Sequence, residues 1–188
     1  MLEPYLDAEY GMPLGSMAEL GQKIAAAEKA GLAVMVHAIG DRANREVITI
    51  LEELADSRNK AAQRSSLPPV LPHRIEHTQM IRSEDIQRLA KLKVAACVQP
   101  HNMILDINMI DQCVAEKGRY AYAFQNMLAS GMQLMFSSDC PVADPAPLAG
   151  IHRRRYIRPQ IPCIRCPQQR TIISRNTRYA PAAGIHVK

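Results

Sequence analysis

Four short strand-like runs, separated by segments of helical spacing, constrain this chain more than any other feature. They are LAVMVH (32–37), HRIEH (73–77), VAACVQP (94–100) and QLMFSS (133–138). Two of them are apolar nearly throughout, the pattern of strands covered on both faces. Between and before them lie amphipathic stretches. Ser16 and Glu19 have the spacing of a capping box opening a helix that runs to Gly31. Residues 42–55 place Ala43, Val47, Ile50, Leu51 and Leu54 at helical spacing. A helix is expected from Ser83 to Lys91, with acids in its first turn, and another from Tyr120 to Ser130, closed by Gly131. Residues 57–72 read as a polar, proline-bearing connection, and 101–117 as a long connection with a helical turn or two. Strands alternating with helices predict right-handed βαβ units and a parallel sheet, an α/β fold.

Charge divides the chain in two. All 18 acidic residues lie before residue 151, against 14 of the 23 Lys and Arg, so residues 1–150 carry a net −4. The last 38 residues hold the other nine basic groups and no acid. The expected organisation is an α/β body over 1–152 and a basic tail over 153–188 with four prolines, no periodicity and little structure. A phosphate-binding role for Arg153–Arg155 is disfavoured, because the tail lacks interleaved aromatics and a nucleic-acid-binding fold. Nucleic acid is therefore not an expected partner. No run approaches the roughly 18–20 apolar residues of a membrane span, and the start lacks a signal-peptide pattern. Five scattered cysteines form no secreted disulfide framework, which favours the cytoplasm. The ten methionines all fall in the body and read as core or pocket lining.

Three strands end in metal-binding residue types: His37, His77 and Asp139. In parallel α/β barrels, side chains at the carboxyl ends of strands converge on one face. Two neutral imidazoles and a carboxylate suit a borderline divalent cation such as zinc. Such an ion makes a bound water acidic near neutral pH, and an adjacent carboxylate takes and returns its proton. A lone strand-end histidine is more often a hydrogen-bonded structural residue, so spacing alone leaves both readings open. His73, at the start of its strand, reads as structural. Cys163 and Cys166 have the spacing of half a zinc site, but no second pair follows.

The segments HAIGDRANR, HRIEHTQ, VQP and SSDCPVADPAPLAGI, in this order, resemble the later part of the amidohydrolase superfamily. The branch they resemble is the YtcJ-like amidohydrolase family 3, which includes N-substituted formamide deformylases. The resemblance implies a metal-dependent (β/α)8 TIM barrel, represented by about strands five to eight, that hydrolyses amide-type C–N bonds with one or two divalent metals. It makes His37 the ligand of strand five, His77 that of strand six, and Asp139 the strand-eight carboxylate, both ligand and proton shuttle. The resemblance also implies that Asp41 and Arg42, at the start of the next helix, support the ligands from behind or serve the structure, and that Gln99, and beside it His101, lie near the substrate mouth.

Two departures stand out. The family's H-x-H pair and strand-four lysine or glutamate are missing, and the sequence after PLAGI leaves the family pattern. The expectation is a truncated barrel whose edge strands pair with another copy or with a complementing N-terminal half. The runner-up is a non-catalytic remnant that binds metal weakly or serves only in assembly.

Overall fold

A parallel sheet with strand order β1-β2-β3-β4 organises the chain. The computed structural model describes residues 1–64 and 71–145. The basic tail 153–188, with Cys163 and Cys166, lies outside the described residues. In chain order the elements are α1 (Met17–Lys29), β1 (Met35–Ala38), α2 (Asp41–Arg64), β2 (Arg74–His77), α3 (Ser83–Lys91), β3 (Ala95–Val98), α4 (Asn102–Cys113), a 3-10 helix (Ala115–Tyr120), α5 (Phe124–Ala129) and β4 (Leu134–Phe136). This is the expected α/β arrangement, four parallel strands joined through helices. Within the described residues β1 and β4 each pair on one side only.

The sheet's two faces differ as the strand alternation requires. Val36, Ile75, Ala96 and Leu134 stand in one cross-strand row, and all four are buried. With Ile48 and Leu51 of α2, Ile86 and Leu89 of α3 and Met127 of α5, they belong to one core cluster. Each of the larger aliphatic side chains among these contributes about 1.5–3 kcal/mol of burial. The neighbouring row, His37, Glu76, Cys97 and Met135, lies on the other face.

Several helix ends follow the sequence. The Ser16 hydroxyl accepts from the Glu19 amide at 3.5 Å, and Gly31 adopts φ +75 after α1. Helix α3 occupies the expected residues.

Three segments depart from expectation. Helix α2 runs to Arg64, beyond its apolar stripe, because SRNKAAQR has no proline or glycine and six good helix formers. The connection after VQP holds a twelve-residue helix, α4, and a 3-10 helix, not a turn or two. Helix α5 starts at Phe124 instead of Tyr120, since Ala121 bridges Met80 and Tyr122 takes φ 53. Of the methionines, Met12 and Met109 are exposed rather than core.

Candidate active site

The carboxyl ends of the strands carry polar residues and strained backbone together. His77, the last residue of β2, has φ 72, Thr78 φ 45 and Asp139, after β4, φ 62. Left-handed backbone at non-glycine residues costs about 1–3 kcal/mol each and persists where surrounding contacts hold it. Strict alternation would send the His77 side chain to the helix-covered face with Ile75. Its left-handed turn breaks the alternation, and the ring meets that of His37 edge-on, centroids 4.4 Å apart at 68°. Two of the three expected ligand residues are thus brought into contact.

His77 is buried and its Nδ1 has no hydrogen-bond partner. Burial first, and then His37, lower its pKa, while Asp139, Glu76 and Asp106 oppose that shift. The imidazole is therefore held neutral, the form that ligates a cation. Among the described residues no three His, Cys, Asp or Glu groups converge closely enough to hold one ion.

Asp139 is positioned from outside its own strand. Asn102 Nδ2 donates to Asp139 Oδ2 at 3.1 Å, and the Val142 amide donates to the Asp139 carbonyl at 2.7 Å. The buried Gln99 side chain donates to the Cys97 carbonyl at 3.1 Å and to Ser137 Oγ at 3.0 Å. Gln99 thus ties the end of β3 to the end of β4. His101 precedes α4 with a buried Nδ1 that has no partner.

The residues after β1 act as bracing. Asp41 is fully buried; Oδ1 accepts from the Leu2 and Arg42 amides, and Oδ2 accepts from Arg82 Nε at 2.8 Å. Neither histidine is among its partners. Arg42 pairs outward with Glu46. Asn44 Nδ2 reaches the carbonyls of Ala38, Gly40 and Met80 at 3.0–3.2 Å, joining the loops that follow β1 and β2. His73 is a structural residue at the opposite end: its Nδ1 accepts from the Val34 amide and its Nε2 lies 2.7 Å from Glu28.

Sequence reasoning missed Asn102, Gln79, Asp106 and Tyr122. Gln79 Nε2 donates to Asp106 Oδ2 at 2.6 Å, and the Tyr122 hydroxyl donates to the same oxygen. The QxxN spacing from Gln99 to Asn102 was visible, but nothing in it announced a carboxylate partner 37 residues onward.

Two touching imidazoles, one with an orphaned buried nitrogen, are donors of the kind a divalent cation takes, while Asp139 does not converge with them on one point in this arrangement. Comparison with known proteins gives the chain a family. The profile described as Amidohydrolase family matches residues 1–154. The chain is 31% identical over 153 residues to Protein LONG AFTER FAR-RED 3 of Arabidopsis thaliana, covering 79% of this chain and 25% of that protein. It is 29% identical over 152 residues to Putative amidohydrolase YtcJ of Bacillus subtilis, covering 79% and 27%. It also resembles the crystal structure of an uncharacterized metal-dependent hydrolase from Pyrococcus furiosus, with a TM-score of 0.67, 30% identity, and coverage of 81% of this chain and 30% of that one. The chain spans about a quarter of the length of the curated relatives it matches. With that match covering residues 1–154, which include all four strands, the chain belongs to the amidohydrolase family, and its parallel α/β sheet resembles part of the fold of that hydrolase structure.

Proposed function

We propose that this chain supplies part of the active site of a metal-dependent hydrolase acting on amide or formamide C–N bonds of small molecules. His37, His77 and Asp139 are its ligands to a divalent cation, zinc by preference for this donor set. The observation that carries the reading is the His37–His77 ring contact, with His77 Nδ1 buried and unpartnered. When bound, a divalent cation polarises a carbonyl and lowers the pKa of water towards neutrality.

The chain's residues do the rest. His77 stays neutral because it is buried beside His37. Asn102 occupies Oδ2 of Asp139, which leaves Oδ1 to accept a proton and return it to the departing nitrogen. Gln99, through Ser137, fixes the spacing of the two loops that flank this carboxylate. Residues 1–152 form the catalytic body in this reading, and 153–188 an appended tail. The free thiols of Cys97, Cys113 and Cys140 suit a cytoplasmic protein.

Release of benzylamine from N-benzylformamide by zinc-loaded protein tests the reaction. Turnover that Asp139→Asn and His77→Ala abolish supports it. Zinc-loaded protein with no turnover on formamide or amide substrates contradicts the C–N assignment.

A further inference from the structure

Resting on that reading of the strand ends as the substrate mouth, the carboxylate of Asp106 has a place in the site that the chemistry above does not use. Among the described side chains, Glu28, Asp41, Glu46, Glu76 and Asp85 are all at least partly buried. Each has an Arg or His nitrogen within 2.6–2.8 Å. The other two partly buried carboxylates, Asp106 and Asp139, have no cationic partner among the described residues. Asp139 is accounted for by the metal and the proton. Asp106 is not.

Its setting is built rather than incidental. Both donors to Oδ2, Gln79 and Tyr122, are more than nine-tenths buried, at 7% and 3% exposure. They are locked to each other by the Tyr122 amide, which donates to the Gln79 carbonyl at 2.8 Å, and by the Met80–Ala121 bridge. Gln79 lies two residues beyond His77, so its bond to Asp106 sets that carboxylate beside the loop that follows β2. Two neutral donors turn the carboxylate without neutralising it. Oδ1 accepts from no donor among the described residues, which leaves it an open acceptor.

We infer that Asp106 is a specificity-determining residue whose carboxylate, held by Gln79 and Tyr122, binds a protonated amine on the substrate. The substrates of this site are accordingly amides or formamides that carry a second, cationic nitrogen. Pairing an ammonium with a preorganised, partly buried carboxylate is worth about tenfold or more in affinity over a neutral isostere.

The test uses two probes of equal length, N-(3-aminopropyl)formamide and N-butylformamide, titrated by calorimetry into the full chain and into Asp106→Asn. Wild-type protein is expected to bind the ammonium probe about tenfold more tightly, and Asp106→Asn to lose that preference. Asp106→Glu, which keeps the charge, should restore part of it, separating recognition from a folding defect. Equal affinity in the wild type, or a preference that survives Asp106→Asn, overturns the assignment. Zinc uptake measured on the same samples distinguishes the two levels. Protein that takes up zinc through His37 and His77 but shows no probe preference overturns the Asp106 role alone. Protein that takes up none overturns the hydrolase reading on which it rests.

Discussion

The side-chain amide of Asn102, the first residue of α4, donates a 3.1 Å hydrogen bond to Oδ2 of Asp139, beyond the end of β4. Outer contacts of this kind orient a ligand, and their loss typically lowers metal affinity about 10–100-fold. Asn102→Leu removes the donor at nearly constant volume. It is expected to weaken zinc binding at least about tenfold while leaving the thermal midpoint close to that of the wild type. Unchanged zinc affinity in a folded Asn102→Leu protein would show that Asp139 is positioned without it.

Asp41 and Arg82 form an ion pair in which the carboxylate is fully buried and the arginine nearly so. Deleting Asp41 leaves Arg82 with Glu3 as its remaining carboxylate partner, and leaves the Leu2 and Arg42 amides without their acceptor in a buried setting. Asp41→Ala is expected to cost about 3–5 kcal/mol in urea denaturation. A loss below about 1 kcal/mol, the range of exposed pairs, would contradict this role.

Burial, with Glu76 accepting from its thiol, pushes the Cys97 pKa up to about 11. At pH 8 on the order of one such thiol in a thousand is ionised. Iodoacetamide should therefore modify the exposed Cys140 in the folded protein and reach Cys97 only on unfolding, as resolved by peptide mass spectrometry. The sign for stability follows. A folded pKa above the unfolded value of about 8.5 keeps its contribution at neutral pH and loses it as pH climbs from about 8.5 towards 11. Rapid labelling of Cys97 in folded protein would contradict the burial.

Leu89 of α3 is 0% exposed, whereas Leu105 of α4 is 60% exposed. Leu89→Ala should cost about 2–5 kcal/mol, and Leu105→Ala less than about 0.5 kcal/mol. The contrast, read by urea denaturation, checks the outward face of α4.

That outward face also explains why α4 was hard to read. Met103, Ile110 and Val114 are buried at helical spacing, but Leu105 and Met109 stand in solvent on the other side and blur the period. By contrast the strands, α1 and α3 were legible, because most of their apolar positions, such as Ile24, Ile75, Ile86 and Leu89, are the buried ones. His37 and His77 could be picked out as strand-end residues of ligand type. Their contact could not, since it depends on the left-handed backbone of His77, which sequence spacing does not encode. Asn102 and Asp106 were invisible for a related reason. Their roles come from hydrogen bonds to residues 37 positions onward and to Gln79 and Tyr122, set by tertiary packing alone.

The central claim is that His37 and His77 hold a divalent cation. Zinc titrated by calorimetry into the metal-free full chain at pH 7.5, beside His37→Ala and His77→Ala, tests it most directly. Saturable uptake by the wild type and a loss of at least about tenfold in affinity in each variant are expected. A wild type that takes up no zinc, or variants that bind it as tightly as the wild type, would contradict it.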